Sequence, residues 1–218
     1  MIDERVLGYD AREVSLASGP PWPANRRSEY LLRPDVPKPL STDETVWPSV
    51  FRRGGATTEP GGGDLDTPRW TGPVQGLWDD LHRLTAHLDG AWGTRWQPCR
   101  LVAVTLLWSL CTPEERGQWD ERIDGIAPGA VDRRWELLGY DVSDEWLLSG
   151  LMNCGYTADE VDALRRRWGP HLNEHHLFDG VGQAGEFVGV SDQRVEEHAP
   201  FFVYGIYSIT HVPANPLT

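Results

Sequence analysis

The 218-residue sequence lacks any apolar run close to the length of a membrane-spanning helix. A helix needs roughly 20 consecutive apolar residues to cross the hydrocarbon core of a bilayer. The first five residues, Met1 to Arg5, are mostly charged, and no apolar segment follows them, so we expect no secretory signal. These absences argue against an integral membrane protein and against a membrane partner.

Cysteine is scarce. The three cysteines are Cys99, Cys111 and Cys154; they form no CxxC pair, and their number is odd. A disulfide framework normally uses an even number of cysteines in an oxidising compartment. We therefore expect reduced thiols in a cytoplasmic protein.

Basic residues are few relative to acidic ones. The chain has 20 bases and 33 acids, a net charge of −13. Residues 1–73 hold 11 acids and 9 bases, whereas residues 74–218 hold 22 acids and 11 bases. A protein that binds the phosphate backbone of nucleic acid needs a basic surface, so this excess of acids argues against nucleic-acid binding. The same excess predicts a basic protein partner.

Strong catalytic motifs are also missing. The sequence contains no HExxH, no GxSxG and no P-loop. Cys154 follows a predicted helix C-terminus, where the helix dipole raises a thiol pKa instead of activating the sulfur. We assign no catalytic residue and expect no cofactor, so the sequence favours a binding protein over an enzyme.

The chain divides into two parts by composition. Ten prolines lie between Gly19 and Pro73, and five glycines lie within residues 54–63. Proline removes backbone donors and glycine adds backbone entropy, so regular structure is unexpected there. We predict that residues 1–73 form an extended, Pro/Gly-rich N-terminal arm whose aromatic side chains dock on an acidic, mainly helical domain of residues 74–218.

Helical patterns dominate that second part. Four leucines from Leu77 to Leu88 recur with helical spacing over residues 76–88. Capping signals at Thr112 and Thr157 predict helices over 113–123 and 158–168, and Ser143 suggests a short helix over 144–152. The all-apolar run over residues 101–110 fits a buried helix or a central strand, and its length and its helical neighbours favour the helix.

One segment has the composition of a strand. Residues 201–210 are aromatic and β-branched, and we expect this strand to pair with residues 133–142 or 186–190. The predicted fold class is therefore α+β, mainly helical with a small sheet.

The densest polar cluster lies at residues 171–176. His171 and His175 are four residues apart, as in helical zinc sites, and His176 follows. Pro170 and Asn173 favour a loop instead, and no fourth ligand is evident, so a metal site is only the alternative interpretation. An enzyme of unrecognised type would use this loop through Glu174, His175 or His176, Asp179 and His198.

The C-terminal half resembles uncharacterised bacterial proteins of the immunity type, which are encoded beside polymorphic toxins. The resemblance covers residues 130–210 and rests on LLSGLMNCGY at 147–156, Leu-Asn at 172–173, Leu-Phe at 177–178 and EHAPFFVYG at 197–205. It implies a protein that inhibits a cognate toxin by direct binding.

Charge and resemblance lead to one functional prediction, an acidic immunity protein that neutralises a basic protein partner. Negative potential attracts such a partner and accelerates association. The predicted partner-binding residues are Asp141, Asp144 and Glu145, or Glu196 and Glu197. The alternatives are the enzyme that uses the 171–179 loop and an accessory subunit of a bacterial or phage assembly.

Overall fold

The computed structural model describes residues 3–12, 77–92, 100–123, 130–145, 147, 149–151, 157–173, 175 and 177–210. Four antiparallel strands form one sheet in the order β1-β2-β4-β3. The strands are β1 (Arg5–Arg12), β2 (Arg100–Leu106), β3 (Glu136–Ser143) and β4 (Phe202–Ser208). The helices are α1 (Leu81–Trp92), α2 (Pro113–Ile123), α3 (Ala158–Trp168) and α4 (Val181–Arg194). Short 3-10 turns cover Trp108–Leu110, Gly169–His171 and Glu196–His198.

The prediction of a mainly helical protein is wrong, because the four-stranded sheet is the centre of the fold. The predicted helix over 101–110 is instead β2 followed by a 3-10 turn. β2 lies between β1 and β4, and the sheet is covered on both faces, so nearly every β2 side chain is buried. A strand buried on both faces loses its polar alternation and reads as a continuous apolar run.

Three further segments differ from the prediction. The described residues between 144 and 151 are not helical, and Ser143 ends β3 instead of capping a helix. Residues 186–190, a proposed strand, lie inside α4. Residues 5–12, assigned to the arm, form β1 of the sheet, whereas residues 13–73 of that arm lie outside the described residues.

The helix predicted over 76–88 begins later than its leucine pattern suggests. Asp80 precedes α1, and its carboxylate accepts a hydrogen bond from the Arg83 amide at 2.8 Å. An aspartate at this position satisfies an otherwise unpaired amide of the first turn and fixes the helix start. Leu77 and Trp78 instead lie beside β1, where Trp78 and Tyr9 exchange backbone hydrogen bonds.

Other predicted elements are confirmed. α2 and α3 occupy the predicted ranges, and β4 pairs with β3 over residues 136–143. Thr157 and Glu160 form the predicted capping box of α3, each side chain accepting the other's backbone N–H. Thr112 and Glu115 do the same at the start of α2.

The two faces of the sheet are covered by different helices. On one face, Val104, Leu106, Tyr204 and Ile206 belong to a cluster that includes Trp119 of α2. The opposite face carries two separate clusters. One joins β3 and β4 to α3 and α4, and the other joins β1 and β2 to α1. Within the described residues no helix is long and apolar enough to cross a membrane.

A bulge in β3 places the 171–179 loop against the edge of the sheet. The bulge brings Gly139 opposite Ile206 with a φ of +142°, a value that favours glycine. Tyr140 and Phe178 exchange backbone hydrogen bonds of 2.9 and 2.8 Å, and the side-chain amide of Asn173 (Nδ2) donates to the Leu138 carbonyl at 2.7 Å. The loop therefore extends the hydrogen bonding of an edge strand.

Candidate functional site

The structure joins two of the sequence-predicted acidic segments at one end of the sheet. Asp144 follows β3, and His198 lies in the turn before β4; the Asp144 Oδ2 to His198 Nδ1 distance is 3.1 Å. The Asp144 side chain is 2% exposed and that of His198 is 31% exposed. We call Asp144, Glu145, Glu196, Glu197 and His198 the acidic end.

Tyr204 of β4 fixes the backbone at Asp144. Its hydroxyl donates a hydrogen bond of 3.0 Å to the Asp144 carbonyl oxygen. Burial raises the Tyr204 pKa well above its ordinary value, and the charge of Asp144 adds to that effect. Tyr204 is therefore a neutral donor across the physiological range, and the backbone of Asp144 is fixed to β4.

The remaining carboxylates of the acidic end reach the surface. Glu196 and Glu197 are exposed, and Glu145 is half-buried and forms an ion pair with Arg122 of α2. The Arg122 guanidinium also lies 5.3 Å from the centre of the Trp119 ring. An exposed ion pair of this kind is worth little net free energy in water, so its arginine can exchange for another cation.

Asp141 does not belong to this surface. It is fully buried in β3, where its carboxylate accepts hydrogen bonds of 2.9 Å from the Ser149 hydroxyl and from the Val142 amide. Asp144 is also buried, so neither carboxylate is on the surface in this structure. Of the five predicted partner-binding residues, Glu145, Glu196 and Glu197 are the ones that solvent reaches.

Two of the three histidines of the 171–179 loop, His171 and His175, lie within the described residues. Within the described residues no group of three or more candidate metal ligands comes together. His171 lies in a 3-10 turn and packs on Trp168, with ring centres 6.3 Å apart. His176 and Glu174 lie outside the described residues, and His198 contacts Asp144.

A buried aspartate against a histidine also occurs in nucleophilic catalysis, where it orients the ring toward a hydroxyl or thiol. Cys111 is the one cysteine that the described ranges include, and it is buried. Burial and the charge of Glu115 raise its thiol pKa to about 11. The thiol is therefore protonated at neutral pH and is a poor nucleophile. Cys154 lies outside the described residues.

Sequence reasoning treated residues 144–145 and 196–197 as alternatives and missed the contact that joins them. Asp144 and His198 are 54 residues apart, so no local spacing reports their contact. The only usable signal was that each segment flanks a predicted strand, and β3 and β4 proved to be neighbours.

No protein-family model, no curated protein and no solved structure matches this chain.

Proposed function

We propose that this chain is an acidic binding protein that neutralises a basic protein partner, as an immunity protein neutralises its cognate toxin. The observation that carries the proposal is the charge of residues 74–218, which contain 22 acids and 11 bases. Charge of one sign steers an oppositely charged partner and accelerates its association.

The acidic end supports the proposal by giving that charge a defined surface. Glu196 and Glu197 are exposed beside the hydrogen-bonded contact between Asp144 and His198, and Glu145 lies next to Asp144 in sequence. A partner that acts on nucleic acid has a basic cleft for phosphates. Carboxylates presented by the turn before β4 can occupy such a cleft in place of phosphate oxygens.

The geometry of the 171–179 loop gives less support to the enzyme alternative. The described part of the 171–179 loop is engaged with the edge of β3 through Asn173 and Phe178. Asn173 also accepts hydrogen bonds from the backbone of His175 and Leu177. These contacts give the described part of the loop a structural role, because they attach it to the edge of the sheet.

Co-purification tests the proposal. The tagged chain is used to capture partners from a lysate of its native host and, separately, the product of the adjacent gene, at low and at moderate salt. We expect one basic protein, bound one-to-one and more weakly at the higher salt. A multi-subunit assembly would instead favour the accessory-subunit alternative, and no partner at either salt would contradict the binding role.

A further inference from the structure

We propose that the sheet face opposite α2 carries a binding site for an organic cation, an ammonium or guanidinium group. The site consists of the Glu4 carboxylate, the Thr105 hydroxyl and the rings of Tyr9, Trp135 and Tyr207, which we call the Glu4 site. None of these residues belongs to the acidic end, so the inference stands or fails apart from the proposed function.

The Glu4 carboxylate is anchored through one oxygen only. Its Oε2 accepts a hydrogen bond of 2.9 Å from Thr105 and one of 2.7 Å from the Tyr207 hydroxyl. Its Oε1 accepts none from the residues that the structure describes, and no arginine, lysine or histidine among them pairs with Glu4. The carboxylate is thus anchored through Oε2, and no group of the described residues pairs with its second oxygen.

The anchored oxygen, Oε2, lies over the central strands β2 and β4. A Cβ atom at Gly205 would come within 2.6 Å of the Thr105 hydroxyl and 3.1 Å of Glu4 Oε2. Tyr207 belongs to the hydrophobic cluster under α1, whereas Tyr140, the β3 partner of Gly205, belongs to the cluster under α3 and α4. The carboxylate that Tyr207 anchors therefore lies near the boundary between the two clusters.

Three aromatic rings extend from this carboxylate. Tyr207 donates to Glu4, its ring centre lies 6.5 Å from that of Trp135, and Trp135 meets Tyr9 edge-on at 6.0 Å. Tyr9 and Trp135 are only half-buried. Burial raises the pKa of Tyr9, and the charge of Asp80 adds to that effect.

Carboxylates and aromatic faces share one preferred ligand. Ring faces attract ammonium and guanidinium groups, and sets of aromatic rings bind methylated ammonium ions in this way. Calcium and magnesium instead require several oxygen ligands, and this site offers one free carboxylate oxygen. A purely structural role would not need the charge, because a glutamine oxygen would also accept from Thr105 and Tyr207.

The test compares cations with neutral molecules of the same shape. Choline and its carbon isostere 3,3-dimethyl-1-butanol are titrated into the full chain, and the indole N–H signal of Trp135 is followed by NMR. Acetyl-arginine amide and acetyl-citrulline amide are titrated likewise, to separate a free ammonium ligand from a protein side chain. We expect saturable millimolar binding of choline, of the arginine compound or of both, and at least roughly tenfold weaker binding of each neutral counterpart.

Two variants complete the test. Glu4→Gln keeps an acceptor for both hydroxyls and is expected to weaken cation binding at least roughly tenfold, whereas Glu121→Gln, which removes an exposed charge on α2 at the opposite face, should leave it unchanged. Equal binding of charged and neutral probes, no saturable shift with either cation, or unchanged binding by Glu4→Gln would each overturn the proposal. The probe comparison uses the unaltered chain, so it decides the matter even where the variant is unstable.

Discussion

Asp144 is the residue on which the acidic end depends. Its carboxylate is almost completely buried and contacts His198, and its backbone carbonyl accepts from Tyr204. A carboxylate loses its hydration when it is buried, and only hydrogen bonds within the protein compensate for that loss. The contacts of a buried carboxylate therefore contribute more to the free energy of unfolding than those of a surface acid.

Replacing Asp144 tests this burial. We expect Asp144→Ala to lower the free energy of unfolding by about 1–3 kcal/mol, because it removes the partner of His198 from a buried site. Glu145→Ala is the matched control: it removes the neighbouring acid from an exposed ion pair and should cost less than about 1 kcal/mol. Urea denaturation measures the free energy of unfolding of both variants. Equal losses in the two variants would show that Asp144 contributes no more to stability than its exposed neighbour.

Gly139 offers a second test at the scale of one residue. Its φ is +142°, and a Cβ atom there would lie 2.6 Å from the Leu177 Cβ and 3.0 Å from the Phe178 carbonyl oxygen. We expect Gly139→Ala to lower the free energy of unfolding by about 1–3 kcal/mol, through strain and overpacking.

Gly189 of α4 is the control for that substitution. A Cβ atom there meets nothing within 4 Å, and alanine is favoured over glycine inside a helix by up to about 1 kcal/mol. Gly189→Ala should therefore raise the midpoint of thermal unfolding while Gly139→Ala lowers it. Changes of the same sign in both variants would contradict the close packing of the 171–179 loop on β3.

At the scale of elements, the start of α3 links stability to pH. Hydrogen bonds from the Thr157 backbone and hydroxyl, and then Arg194, lower the Glu160 pKa from 4.5 to about 2. A carboxyl whose pKa is depressed in the folded state stabilises that state above its unfolded pKa, and the contribution is lost as the pH falls toward the folded value. The relevant window is therefore from about pH 4.5 down to about pH 2.

Glu160→Gln isolates this contribution. The wild type should lose more stability than the variant between about pH 6 and about pH 2.5, because glutamine does not titrate. Urea midpoints at the two pH values measure the difference. Asp159→Asn changes an adjacent exposed acid of the same first turn and serves as the control; an identical pH dependence in Glu160→Gln and the wild type would contradict the capping geometry.

The same elements show what sequence reasoning can reach. The caps at Thr112 and Thr157 were sufficient to predict α2 and α3, because capping depends on residues within one turn. Residues 101–110 were not assignable by periodicity, because β2 is buried on both faces and carries no alternation. The start of α1 was missed because the leucine pattern continues past Asp80, the residue that caps it.

The candidate site was predictable only in part. The charge of Glu145, Glu196 and Glu197 follows directly from the sequence, and solvent reaches all three. The burial of Asp141 and Asp144 was not predictable, because the hydrogen bonds that hold them come from Ser149, His198 and Tyr204, which the fold alone brings close. Glu4 gave no signal for the same reason, since Thr105 and Tyr207 are distant in sequence.

At the scale of the whole molecule, the net charge of −13 affects the rate at which a charged partner associates. Long-range steering depends on total charge, whereas specific association depends on where that charge lies. Two double variants with the same net charge separate these contributions. Glu196→Lys with Glu197→Lys reverses the acidic end, and Glu136→Lys with Glu186→Lys reverses two exposed acids on β3 and α4.

The association rate with the basic partner, measured by stopped flow at rising ionic strength, tests the central claim most directly. For the wild type we predict a rate that falls steeply with salt. The acidic-end variant should associate roughly tenfold or more slowly with a flatter salt dependence, and the control variant should lose much less. Equal rates for the two double variants, or a wild-type rate that salt leaves unchanged, would contradict partner recognition through the acidic end.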